Sequence, residues 1–169
     1  VKGLLLSSIS GQVRWATADM GEAYLLPGQI PVRLPGDLVV NRPVEIGGNI
    51  EHISCVSMGN PHCVVFVDHL ETLNVAEIGP RFEHSPLFPD RVNTEFVKFI
   101  SKNLLKMRAW ERGNGETLAC GTGACAAVVA ATKMGLCTAG EDVVVRVPGG
   151  KLIVNYDGKS CTLTGSANL

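Results

Sequence analysis

The chain has 169 residues, 46% of them hydrophobic, which is enough for one well-filled core and, at roughly 100–200 residues per domain, a single domain over 1–169. Its 15 basic and 16 acidic residues nearly cancel, no basic block stands out and aromatic residues are few; this excludes the footprint of a nucleic-acid binder and favours a small ligand. No apolar run approaches the roughly 20 residues of a membrane span.

In chain order, alternating or β-branched runs at Gln12–Met20, Asp37–Ile46, Asn49–Ser57 and His62–Asp68 predict strands, separated by Pro27-Gly28, Pro35-Gly36, Gly47-Gly48 and Asn60-Pro61. Asn74 is placed to N-cap a short helix through His84, with Pro80 in its first turn or kinking it. After a loop at Ser85–Arg91, the runs Asn93–Ile100 and Leu104–Glu111 predict a hairpin. Thr122–Met134 predicts the one long helix, ended by Gly135. Its residues Ala124 to Ala131 are apolar on every side, so it must be buried all round, with the strands wrapped about it. Val143–Val147, Leu152–Tyr156 and Ser160–Thr164 add three strands, the last two joined through Asp157-Gly158. The expected fold is α/β of the α+β type: a mostly antiparallel mixed sheet around a central hydrophobic helix.

Six cysteines, with no signal peptide and no C-x-x-C pair, read as reduced thiols of a cytoplasmic protein, and none has the spacing of a closed zinc site. Cys55, Cys63, Cys125 and Cys161 lie in apolar runs and read as core. Cys120 differs, because Gly121-Thr-Gly123 carries it straight into the long helix. Helix N-termini present free N–H groups and a positive dipole end, so the expectation is a thiol pKa drawn from about 8.5 towards or below neutrality. The same turn can hold a carboxylate.

Other residues are open to two readings. Glu111 and Arg112 are either a solvated strand end or an ammonium- or proton-handling carboxylate beside a forked carboxylate grip. His62 is either a structural strand-start residue or, with Asn60 across Pro61, one of two side chains fixed toward a cavity. Asn93 is either a tolerated strand-start residue or a polar reader of ligand. His52, His69 and His84 read as surface residues.

Together these pieces resemble the diaminopimelate epimerase family. The residues that carry the resemblance are Asp19-Met-Gly21, Met58-Gly-Asn-Pro-His-Cys-Val64, Phe88-Pro-Asp-Arg-Val-Asn-Thr-Glu-Phe96, Trp110-Glu-Arg-Gly113, Gly115-Glu-Thr117, Ala119-Cys-Gly-Thr-Gly-Ala-Cys-Ala-Ala127 and Pro148-Gly-Gly150. The resemblance implies cofactor-independent, metal-free interconversion of LL- and meso-diaminopimelate, on the route to lysine and peptidoglycan, by a thiolate and a thiol on opposite faces of the α-carbon. Cys120 would be one of the two. Gly121 and Thr122 would hold the reacting carboxylate, Asn60, Asn93 and Arg112 the distal end of the substrate, and His62 and Glu111 would assist at the thiol, Glu111 also lining the amino-group pocket.

The family's other cysteine stands in a Cys-Gly-Asn-Gly motif, which this sequence lacks. With the start at Val1 and the end at Leu169, this leads to the expectation of an isolated C-terminal domain whose partner is the N-terminal half of the same protein, inactive alone. The resemblance further implies a homodimer for the full-length protein. Alternatives are a proline or hydroxyproline racemase-like or phenazine-biosynthesis-like isomerase and, in another class, a non-catalytic carboxylate-binding or interaction domain.

Overall fold

An eleven-stranded sheet dominates residues 3–166, the part of the chain that the computed structural model describes; Val1 and Leu169 lie outside the described residues. In chain order the elements are β1 (Leu4–Ile9), β2 (Gln12–Glu22), β3 (Arg42–Ile46), β4 (Asn49–Ser57), β5 (Pro61–Phe66), helix α1 (Val75–Glu83), β6 (Asn93–Ser101), β7 (Leu104–Glu111), β8 (Gly115–Thr117), helix α2 (Gly121–Lys133), β9 (Asp142–Val147), β10 (Gly150–Tyr156) and β11 (Ser160–Ser166). Across the sheet the order is β1-β2-β11-β10-β9-β7-β6-β5-β4-β3, with β8 beside β7. Among the described residues β5/β6 and β7/β9 pair in parallel and the other neighbours are antiparallel. This is the mostly antiparallel mixed sheet that the sequence leads one to expect.

Helix α2 has no polar face along Gly123 to Ala131, and all of these residues are buried. It packs against β4, β5, β6, β10 and β11, so the sheet curls around it. Gly135, at φ 78°, ends the helix as expected. The N-cap reading of Asn74 also holds: its Oδ1 accepts from Glu77 N–H at 3.3 Å. Among the described residues no helix is long and apolar enough to cross a membrane.

The apolar residues form two clusters rather than one. Val64, Val97, Leu105 and Met107 face α2, whereas Cys63, Val65 and Phe96 face the opposite cluster, which includes Val75 and Phe82 of α1. Because strand side chains alternate with a period of two, the α2 face of β5 also carries His62, that of β6 carries Asn93 and Glu95, and that of β7 carries Glu111. The polar members sit at the strand ends beside the start of α2, and this brings the site together.

Three local expectations change. The run Asp37–Ile46 becomes a strand only from Arg42, because Asn41 takes a left-handed conformation (φ 46°) with its N–H given to Ser54 Oγ at 2.9 Å. Strand β1 is additional; Leu-Leu-Leu-Ser-Ser-Ile shows no alternation, but Ser10-Gly11, both at positive φ, folds it onto β2 as a two-residue hairpin. The short β8 is also additional and pairs Glu111 with Gly115.

Gly79 of α1 lies against the Trp110 ring, whose Nε1–H donates to Glu83 Oε2 at 2.7 Å. Helix propensity alone would favour alanine at Gly79 by roughly 0.5–1 kcal/mol. A Cβ there would fall inside the indole, whose position is fixed by its hydrogen bond, and overpacking costs about 1–3 kcal/mol. Gly79→Ala should therefore lower the calorimetric Tm; an unchanged or raised Tm would show that Trp110 moves aside freely.

Candidate active site

Cys120 is extended (φ −132°, ψ 107°) and serves as the N-cap of α2. Its Sγ accepts from Gly123 N–H at 3.3 Å and lies 3.7 Å from Thr122 Oγ1. Ala124 N–H donates to the Cys120 carbonyl at 2.9 Å. Of the three helical N–H groups that precede this first intrahelical bond, Gly123's is taken by Sγ, which leaves those of Gly121 and Thr122 unclaimed among the described residues and available to an anion.

From Thr122 a hydrogen-bonded chain runs back into the sheet. Asn60 Nδ2 donates to Thr122 Oγ1 at 3.2 Å, Asn60 Oδ1 lies 2.9 Å from His62 Nε2, and His62 Nδ1 lies 2.7 Å from Glu95 Oε1. His62 and Glu95 are both fully buried. Asn60, His62, Thr122 and Cys120, singled out in the sequence, thus form one connected group. Asn93 and Arg112 form a second, with Arg112 N–H donating to Asn93 Oδ1 at 2.9 Å and Asn93 Nδ2 donating to the Pro61 carbonyl at 3.1 Å. The Arg112 guanidinium donates to the Asp90 carbonyl at 3.0 Å through one nitrogen. Glu111 accepts from Thr117 Oγ1 at 2.7 Å, and its charge is felt at Cys120.

The thiol does not behave as its place at a helix start suggests. Burial first, and then the Glu95 carboxylate, push the Cys120 thiol up to about 12, with Glu111 adding to the rise; the Gly123 N–H and Thr122 hydroxyl work the other way but lose. The expected fall towards neutrality is therefore reversed in this chain. The helix-terminus effect is real but local, whereas a thiolate 8% exposed and facing two carboxylates is poorly solvated. The core and surface readings hold: Cys55, Cys63, Cys125 and Cys161 are buried, and His52, His69 and His84 are exposed.

Sequence reasoning missed three residues. Glu95 was legible as a charge in phase with Asn93 and Val97 on the face turned to α2. Thr117 sits on β8, which was itself missed. Glu83 is a buried helix-end carboxylate that accepts from Trp110 Nε1–H, from Gly113 N–H at 2.9 Å and from Arg91 at 2.9 Å, so it fixes the turn carrying Arg112. Burial opposes its charge, but Trp110 and Gly113, helped by His84 and Arg91, hold its carboxyl below the ordinary value.

Gly123 leaves the room that this arrangement needs. A Cβ there would stand 2.5 Å from Glu95 Oε1 and 3.0 Å from Cys120 Sγ. Since His62 holds Glu95 in place, Gly123→Ala should cost about 1–3 kcal/mol by overpacking, read by denaturant unfolding of this chain. A neutral result would mean that Glu95 is not pinned.

The family model of diaminopimelate epimerase matches residues 54–169. The diaminopimelate epimerase of Desulfovibrio desulfuricans is 49% identical over 99% of this chain and 60% of its own length. That of Acaryochloris marina is 48% identical over 88% of this chain and 53% of its own length. The chain therefore spans little more than half the length of these curated relatives. Among solved structures, a hydroxyproline epimerase from Agrobacterium vitis matches with a TM-score of 0.69 at 14% identity, covering 98% of this chain and 54% of that one, a likeness of fold. By the family match and by identity to these relatives along nearly its whole length, this chain belongs to the diaminopimelate epimerase family.

Proposed function

We propose that this chain is the C-terminal domain of an epimerase that interconverts LL- and meso-diaminopimelate without a cofactor, and that it supplies one of two reacting thiols. The observation that carries this reading is the placing of Cys120 as N-cap of α2, with the Gly121 and Thr122 amides unclaimed beside it. A carboxylate seated on those amides brings its α-carbon next to Sγ. As the α-proton leaves, negative charge grows on that carboxylate, and fixed N–H donors stabilise it without reorganising. One sulfur takes the α-proton as its C–H bond breaks, and a second sulfur, on the other half of the protein, returns a proton to the opposite face.

The distal amino and carboxylate groups are read by Asn60, Asn93 and Arg112, while His62 and Glu111 assist at the thiol and Glu111 also lines the amino-group pocket. Leaving these polar groups unpaired makes shorter amino acids poor substrates. The full-length protein works as a homodimer in the cytoplasm, in lysine and peptidoglycan biosynthesis. A substrate panel with the full-length protein tests the reading. Turnover of diaminopimelate with rejection of proline and hydroxyproline is expected, and the reverse preference would assign the site to a racemase.

A further inference from the structure

Glu95 is fully buried on β6, and the reaction proposed above gives it no part. Its Oε1 and the Cys120 sulfur both lie within 3.0 Å of the point where a Gly123 Cβ would stand, so carboxylate and thiol share one small space. Its Oε2 has no hydrogen-bond partner among the described residues. A buried carboxylate crowding a reacting thiol works against a thiolate, and burying it half-satisfied is costly. Its geometry points to a compensating role.

The direction of the hydrogen-bonded chain can be worked out from its ends. Asn60 donates through Nδ2 to Thr122 and so turns Oδ1, which only accepts, toward His62 Nε2. Nε2 therefore carries a proton. Nδ1 stands 2.7 Å from Glu95 Oε1, which requires a second proton between those two atoms. At the far end, Thr122 Oγ1 takes the Asn60 N–H, which frees its own O–H for Cys120 Sγ at 3.7 Å.

We propose that Glu95 is a positioning residue: by holding a proton against the rear nitrogen of His62, it fixes the direction of the His62–Asn60–Thr122 chain so that the Thr122 hydroxyl donates to Cys120. The opposite direction would place the imidazole proton on Nδ1 alone, turn the Asn60 amide over and draw the Thr122 O–H away to Asn60. Sγ would then face an acceptor in place of a donor. Only the kinetic consequence rests on the epimerase reading.

The test is the ring 15N–1H spectrum of this chain labelled in histidine, with His62 assigned through a His62→Gln variant. His62 should show a proton on Nε2 in the unaltered chain and in Glu95→Gln, whose carboxamide can still donate to Nδ1. In Glu95→Leu the Nε2–H signal should be lost or averaged. A His62 protonated on Nδ1 alone in the unaltered chain would overturn the proposal, as would a Glu95→Leu spectrum identical to that of Glu95→Gln. If Glu95→Leu fails to fold, the first two spectra still decide.

In the full-length protein, Glu95→Gln should keep kcat within about threefold and Glu95→Leu should lower it about tenfold or more with KM little changed, the worth of one directed hydrogen bond. Equal kcat in the two variants would contradict the directing role. The ring spectra need no turnover, so failure of the epimerase reading would leave them standing.

Discussion

At pH 8, Cys120 of this chain should react with iodoacetamide on the order of a thousandfold more slowly than an unburied thiol, because its thiolate fraction is smaller by about that factor. The cause is a thiol pushed from an ordinary value of 9.0 to about 12, by burial first and by the Glu95 charge second. A raised pKa means that the folded chain holds this proton through neutral pH, and the rate should keep rising with pH well beyond 9. The same shift stabilises the fold below about pH 9, and that contribution is lost as the pH rises through about 12. Peptide-resolved alkylation across pH 7 to about 11 checks this, and a midpoint near neutrality would contradict it. A slow thiol here does not separate a reacting cysteine from a structural one, since on the reading proposed above the solvation of Sγ changes once a second half and a substrate close over it.

Cys120→Ser in the full-length protein makes that separation. Serine is among the best N-cap residues, and its Oγ can accept the Gly123 N–H as Sγ does, so the start of α2 should be kept with little change in stability. As a base or acid towards an α-carbon, however, a hydroxyl is a poor substitute for a thiol. Losing one acid–base group costs about 10²–10⁴ in rate. The expected result is a normally folded protein whose epimerisation falls by that factor. Retained activity would return Cys120 to the role of a packing residue in a carboxylate-binding domain.

The parts of this structure legible in the sequence are those written in periodicity and turn chemistry. The all-apolar run from Ala124 to Ala131 foretold a helix inside a wrap of strands, and Asn74, Gly135 and the Cys120 turn marked helix ends where they stand. Strand β1 escaped because it is exposed along its whole length and so shows no alternation. The division of the core in two escaped because β5 and β6 are buried on both faces, which a sequence reads as one continuous apolar run.

At the site, residue types pointed to Asn60, His62, Asn93, Glu111, Arg112 and Cys120, but not to what stands behind them. Glu95 and Glu83 act by distance: one is set against His62 by the parallel pairing of β5 and β6 and beside a sulfur by the packing of β6 on α2, the other beside the Arg112 turn by the packing of α1 on Trp110. The thiol pKa departs from the sequence expectation for a like reason, since a helix terminus is visible in sequence whereas the burial of Sγ and a facing carboxylate are not.

The most direct test of the two-thiol account is deuterium incorporation at the α-carbon of LL-diaminopimelate in heavy water, comparing this chain alone with this chain mixed with a separately made N-terminal half. The account predicts exchange and epimerisation in the mixture and none with the chain alone. Exchange catalysed by this chain alone would contradict it, because one sulfur would then suffice.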